Sequence, residues 1–160
     1  MIKRATIFAT LLAAGFSPWL QAGSLVLGGG AIADLDNDAK PLLQLAYEAE
    51  PQDAWWSVQP YGELLVSEHS TSYLGLGLQK AFPLSDHWDW GLGINAGYYH
   101  SNDHQLDLGY DVEFRSRLFV DYRLDQQQRV RLEIGHISNA ELGDDNPGTE
   151  VLLIDWIRAL

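Results

Sequence analysis

The chain contains no cysteine, one methionine and only 10 Lys and Arg residues against 22 Asp and Glu. Without cysteine there is neither a disulfide framework nor a thiolate metal site, so stability outside the cytoplasm must come from packing and backbone pairing. A net charge of −12 excludes nucleic acid as a partner, because such a surface repels phosphates instead of releasing their counterions. Also missing is an apolar run of the about 20 residues that a transmembrane helix needs. The run from Ile7 to Phe16 is too short. It follows Lys3 and Arg4 and precedes Gln21-Ala22, which is the layout of a secretory signal over residues 1–22. Its removal leaves one domain, residues 23–160, in which the 10 basic residues become 8 and the net charge becomes −14 with His neutral. If such a chain enters a membrane, it does so with strands.

Strands are what the remaining sequence spells. Between Leu108 and Tyr122 the even positions are Leu108, Tyr110, Val112, Phe114, Ser116, Leu118, Val120 and Tyr122, while the odd ones include Asp107, Asp111, Glu113, Arg115, Arg117 and Asp121. Period two of this kind gives a strand with one greasy and one charged face. The same alternation runs from Trp88 to Tyr98, with glycine and polar residues on the second face. Carried along the chain, the pattern predicts eight strands over 24–34, 40–50, 55–67, 71–82, 87–100, 106–122, 127–138 and 149–160. The fold class is therefore all-β, an eight-stranded antiparallel transmembrane β-barrel of the outer-membrane type. Trp55, Trp56, Trp88, Trp90, Tyr98, Tyr122 and Trp156 cluster near strand ends as an aromatic girdle does. A soluble lipocalin-type barrel with the greasy face inward is the competing architecture. The glycines among the charges of the polar face, such as Gly91, Gly93 and Gly97, favour a narrow polar interior in which Arg115, Arg117, Arg129 and Arg131 pair with Asp111, Glu113, Asp121 and Glu133.

One strand departs from the pattern. Val130, Leu132 and Ile134 are the outward positions of the seventh strand, and the count carries His136 and Ser138 onto the same lipid-facing side. The eighth strand starts with Glu150 on the outward face, and Asp155 faces in. A serine hydroxyl becomes a nucleophile when an imidazole accepts its proton, and a carboxylate fixes that imidazole's tautomer. Ser138, His136 and Glu150 supply these three roles. The loop between them offers oxyanion donors at Asn139, Asn146 and the main chain around Gly148. Read from the residues alone, a polar strand end at the membrane interface remains the alternative.

The stretch HISNAELGDDNPGTE, residues 136–150, resembles the corresponding segment of the lipid A 3-O-deacylases, the PagL family of outer-membrane esterases. That resemblance implies a Ser138/His136/Glu150 triad, with Asn146 the better oxyanion candidate and Asn139 the second. It further implies hydrolysis of the ester-linked 3-O-acyl chain of lipid A, releasing a 3-hydroxy fatty acid, with no metal and no other cofactor. The expected partners are lipopolysaccharide and outer-membrane lipid, a homodimer being compatible with such a barrel, and the expected site lies at the level of the outer leaflet. The alternative is a non-catalytic small barrel serving structure, adhesion or envelope protection. Outer-membrane barrels commonly end in an aromatic residue, so Trp156 or the apolar Leu160 takes that part here.

Two further groups are expected to be structural, and a third stays open. His69, His100 and His104 with Asp103 lack the spacing of a metal motif and read as solvated loop residues. Gly28-Gly29-Gly30 sits inside a strand with no helix after it, so it marks a bend in the wall, not a phosphate loop. Asp144 and Asp145 fit an exposed acidic loop as well as they fit recruitment of divalent cations that bridge lipid phosphates.

Overall fold

The alternation closes on itself. In the computed structural model, which describes residues 23–33, 38–143 and 145–160, eight antiparallel strands pair with their sequence neighbours and the last pairs with the first. They are β1 (Gly23–Ala33), β2 (Lys40–Ala49), β3 (Gln59–Ser67), β4 (Ser72–Pro83), β5 (Trp88–His100), β6 (Val112–Arg123), β7 (Gln128–Ser138) and β8 (Thr149–Ala159). Closure leaves no unpaired edge, which hydrocarbon would not tolerate. The expected leader, residues 1–22, lies outside the described residues, as does Asp144.

The greasy face points out. Leu43, Leu74, Leu76, Ile94 and Ile154 are each more than 60 % exposed, whereas Arg115, Glu113 and Glu133 are fully buried. This is the inverse of a soluble barrel and removes the lipocalin-type alternative. Trp88 and Tyr122 touch at one end, 4.8 Å between ring centroids, and Phe82 stacks on Trp90 at the same separation. The aromatic band is thus concentrated at the end that holds Trp55 and Trp56, with Tyr98 at the opposite rim.

The interior is layered. Nearest the β7–β8 loop, Ile32, Leu42, Leu65, Tyr73, Tyr99, Leu106, Leu108, Ile137, Val151 and Leu153 form an apolar cluster. In the middle, Arg115 bonds both oxygens of Glu63 at 2.8 and 2.7 Å and also reaches Glu133. Arg131 grips Asp121 at 2.7 and 2.9 Å and Glu48 at 2.6 Å. The guanidinium of Arg117 lies 3.7 Å from the Tyr61 ring centroid and that of Arg131 3.8 Å from Phe119, cation–π contacts that spread the charge further. At the opposite mouth an open cavity of about 330 Å³ is lined by Asp89, Asp121, Arg123 and Arg129 among others.

Four expectations need correction. β3 begins at Gln59, not at residue 55, because Asp53–Trp55 forms a single 3-10 turn and Trp56 and Ser57 take positive φ of 55° and 59°. β6 begins at Val112, not at residue 106. Asp103 caps a second 3-10 turn by accepting from Gln105 N at 3.0 Å, and Gly109 then turns at φ 77°. Leu108, assigned to the lipid face by its parity, is instead 3 % exposed inside the apolar cluster, and neither Asp111, an exposed loop residue, nor Glu113, buried with both carboxylate oxygens unpartnered among the described residues, joins the interior charge pairs. Gly28-Gly29-Gly30 keeps the ladder in register on both sides. What glycine supplies at position 28 is room, since a Cβ there would run into the Asp155 carboxylate.

Candidate active site

His136, Ser138 and Glu150 are held outward by the residues between them. Ile137 and Val151, 0 % and 1 % exposed, are driven into the apolar cluster, and strand alternation then turns their neighbours to the opposite face. The β7–β8 register puts Glu150 directly across from His136. Across that pair His136 Nδ1 and Glu150 Oε1 stand 2.9 Å apart, with the two side chains 46 % and 39 % exposed. A carboxylate accepts only, so Nδ1 is the donor in this contact, and in the neutral ring Nε2 is left with its lone pair. The neutral imidazole therefore keeps an acceptor nitrogen on the lipid-facing wall.

Ser138 lies one side-chain step, about 6.6 Å along the strand, from His136 on the same face, across from Phe114 of β6. Its hydroxyl makes no hydrogen bond to His136 among the described residues. Gly148 completes the setting of the imidazole. It has φ 69°, and a Cβ built there would sit 2.7 Å from His136 Cε1 and 3.1 Å from Nε2. Only glycine lets the loop backbone lie against the ring.

The loop is organised by Asn139, which is fully buried. Its Nδ2 donates to the carbonyls of Leu108 at 3.0 Å and Asp145 at 2.7 Å, its Oδ1 accepts from Glu141 N at 2.9 Å, and its own N–H donates to Asn146 Oδ1 at 3.0 Å. Every donor of Asn139 is thereby committed. Asn146, exposed and anchored through its oxygen, keeps its Nδ2 free to donate elsewhere. Beside it opens a cavity of about 580 Å³ lined by His104, Asp107, Gly109, Asp145, Asn146 and Pro147. The tie from Asn139 to Leu108, which joins the β7–β8 loop to the β5–β6 loop, had no signal in the sequence. Neither did the packing of Gly148 on His136.

Among the described residues, no group of three or more His, Asp or Glu side chains converges as metal ligands do. His69 and Asp103 approach to 3.6 Å and Lys40 to 3.5 Å of the same carboxylate, an ion cluster at the loop end in which only His69 is exposed. The Asp103 carboxyl is held below its ordinary range, chiefly by the Gln105 backbone N–H and further by Lys40.

Comparison with known proteins gives a consistent result. The family model described as lipid A 3-O-deacylase (PagL) matches residues 41–156. Among solved structures, the crystal structure of the outer membrane enzyme PagL superposes with a TM-score of 0.70 at 17 % identity, over 86 % of this chain and 99 % of that one. De novo designed transmembrane β-barrels match with a TM-score of 0.61 at 10 % identity, covering 87 % of this chain and 95 % of the design. Neisserial surface protein A gives 0.57 at 6 % identity, over 86 % and 95 % of the two chains. At these identities the structures show a shared fold. No curated protein is similar enough to match.

Proposed function

The chain belongs to the lipid A 3-O-deacylase (PagL) family, and from that premise we propose that Ser138, His136 and Glu150 are the catalytic set with which it acts. Its reaction is that of an outer-membrane esterase that removes the 3-O-linked acyl chain of lipid A as a 3-hydroxy fatty acid. The observation that carries the residue assignment is the 2.9 Å contact between His136 Nδ1 and Glu150 Oε1 on the lipid-facing wall, with Ser138 on the same face. A carboxylate–imidazole pair there neither closes the barrel nor joins its interior charge network, which favours catalysis over a purely structural or adhesive barrel.

The chemistry runs as acyl transfer. His136 Nε2 takes the proton of Ser138 Oγ as that oxygen attacks the ester carbonyl, while Glu150 steadies the imidazolium through Nδ1–H. The tetrahedral oxyanion is met by Asn146 Nδ2 and by main-chain N–H groups near Gly148, with Asn139 holding that loop in place. His136 then returns its proton to the departing sugar oxygen, leaving an acyl ester on Ser138. Water, deprotonated by His136, attacks that ester, freeing the fatty acid and restoring the serine hydroxyl. No step calls for a metal. With β1 entering from the periplasmic side, β7 runs outward and delivers Ser138 at the level of the outer leaflet, where lipopolysaccharide lies.

Mass spectrometry of lipid A from cells expressing the chain tests this. The native chain is expected to remove one 3-hydroxyacyl group, and Ser138→Ala and His136→Ala are expected to remove none. A Ser138→Ala protein that folds, shows heat-modifiable mobility and still deacylates rejects the nucleophile.

A further inference from the structure

Ser116 breaks the lipid-facing pattern of β6. Leaving aside the strand ends, the outward positions of the eight strands carry apolar side chains or glycine, with three exceptions. One is Lys80, whose Nζ reaches the rim to donate to the Trp56 carbonyl at 2.6 Å. Another is the set formed by His136, Ser138 and Glu150. The third is Ser116, exposed to the lipid side between the inward Arg115 and Arg117. Val112 and Phe114 lie above it on the same strand, so Ser116 stands inside the apolar band. Its hydroxyl has no hydrogen-bond partner among the described residues. Hydrocarbon offers no compensating hydrogen bond, so a hydroxyl at this depth is costly until something polar meets it.

Register shows what can. Ser116 pairs directly with His136, and Phe114 with Ser138, so Ser116 is the diagonal neighbour of the nucleophile, one row deeper in the membrane. An ester whose carbonyl rests on Ser138 must send its acyl chain down the wall into the bilayer, past the row of His136 and Ser116. A hydroxyl on the third carbon of that chain lies two carbon–carbon bonds from the carbonyl. Counted from the serine oxygen, the bond to the carbonyl carbon, those two bonds, the hydroxyl C–O bond and one hydrogen bond together span about 7 Å, against about 7–8 Å between diagonal neighbours.

We infer that Ser116 is a specificity-determining residue whose hydroxyl hydrogen-bonds the 3-hydroxyl of the acyl chain being cleaved, so that the site prefers 3-hydroxyacyl esters to unsubstituted ones. This rests on the esterase reading above and adds the group that reads the substrate's hydroxyl.

The test compares the full-length native chain, Ser116→Ala and Ser116→Thr, each folded in detergent and checked for heat-modifiable mobility. Two esters of one alcohol serve as substrates, one 3-hydroxyacyl and the other identical but lacking that hydroxyl. Ser116→Ala is expected to lower kcat/KM for the hydroxylated ester about five- to ten-fold, the size of one neutral hydrogen bond, and to leave the plain ester unchanged. Ser116→Thr, which keeps a hydroxyl, should recover part of the preference. If the native chain is active and Ser116→Ala alters both esters equally or neither, this inference is overturned and the esterase reading stands. If the native chain cleaves neither ester, both fall together.

Discussion

Gly148 is where a single methyl group should matter most. At φ 69° a non-glycine residue carries backbone strain of about 1–2 kcal/mol, and a Cβ would press on His136 at the edge that bears Nε2. Gly148→Ala is therefore expected to lower kcat at least about tenfold with little change in KM, since it displaces the base without touching an acyl-binding wall. Steady-state kinetics on the folded barrel reads this, and an unaltered kcat would mean that the ring is not set by the loop. Glu150 acts on the same imidazole from its other side, but through orientation and charge. Glu150→Ala is expected to retain roughly a hundredfold more activity than Ser138→Ala, the difference seen when the acid of a triad is removed instead of its nucleophile. The faces of His136, Ser138 and Glu150 follow from counting outward from Ile134 and Leu152, because alternation is strict wherever the inward neighbours are buried. The ring contact at Gly148 depends on where a loop comes to rest, and no periodicity encodes that.

Element boundaries were legible to the extent that alternation alone sets them. β5 and β7 begin one residue later than the pattern predicts and end at the predicted residue. The starts of β3 and β6 were missed, because there the chain keeps its alternating appearance while local hydrogen bonding bends it into a 3-10 turn. In the second case Leu106 and Leu108 gain more by filling the apolar mouth of the barrel than by facing lipid, a tertiary preference that parity cannot express. That segment is what Asn139 grips. Asn139→Ala removes the donor to the carbonyls of Leu108 and Asp145 and the acceptor for Glu141 N, at about 1–3 kcal/mol for each buried group left unpaired. The expected result is faster proteolytic nicking within residues 139–149 and reduced activity, with the barrel's heat-modifiable mobility intact. The 3-10 turn at His104–Leu106 has a pH dependence of its own. Asp103 is depressed by the Gln105 N–H and by Lys40, so its contribution is fully present above the ordinary aspartate value near pH 4. It is lost as the pH falls below that value and through the depressed one. Amide exchange at Gln105 in detergent should accelerate across that acid window and stay flat above it, apart from the ordinary base-catalysed rise.

At the scale of the whole barrel, the charged belt is the element the sequence half disclosed. Alternating Arg and acidic residues on β6 and β7 were visible, but Glu48 and Glu63, which come from β2 and β3 across the lumen, are joined to them only by closure. Each of these acids serves more than one guanidinium: Glu63 takes Arg115 at 2.7 Å and Arg117 at 3.6 Å, and Glu48 takes Arg131 at 2.6 Å along with Arg129. Arg115 is the central tie, since its guanidinium hydrogen-bonds both Glu63 and Glu133 while fully buried. Replacing it with methionine keeps much of the volume and leaves Glu63 with only the longer Arg117 contact at 3.6 Å and Glu133 with Arg117 at 3.0 Å, an excess of buried negative charge worth up to about 3–5 kcal/mol. The urea midpoint of the detergent-folded barrel should drop accordingly. If stranded charge is the cause, adding Glu63→Gln to Arg115→Met should restore part of the loss even though it removes another native contact. A double variant no more stable than the single one would place the cost in packing instead. Activity separates the two roles of β6. Arg115 points into the barrel and its neighbour Ser116 points out, so below the unfolding transition the Arg115→Met barrel should hydrolyse esters at the native rate per folded molecule, with its preference for the 3-hydroxyacyl ester unchanged. A loss of that preference would mean that the belt also sets the spacing of the rows on the lipid-facing wall.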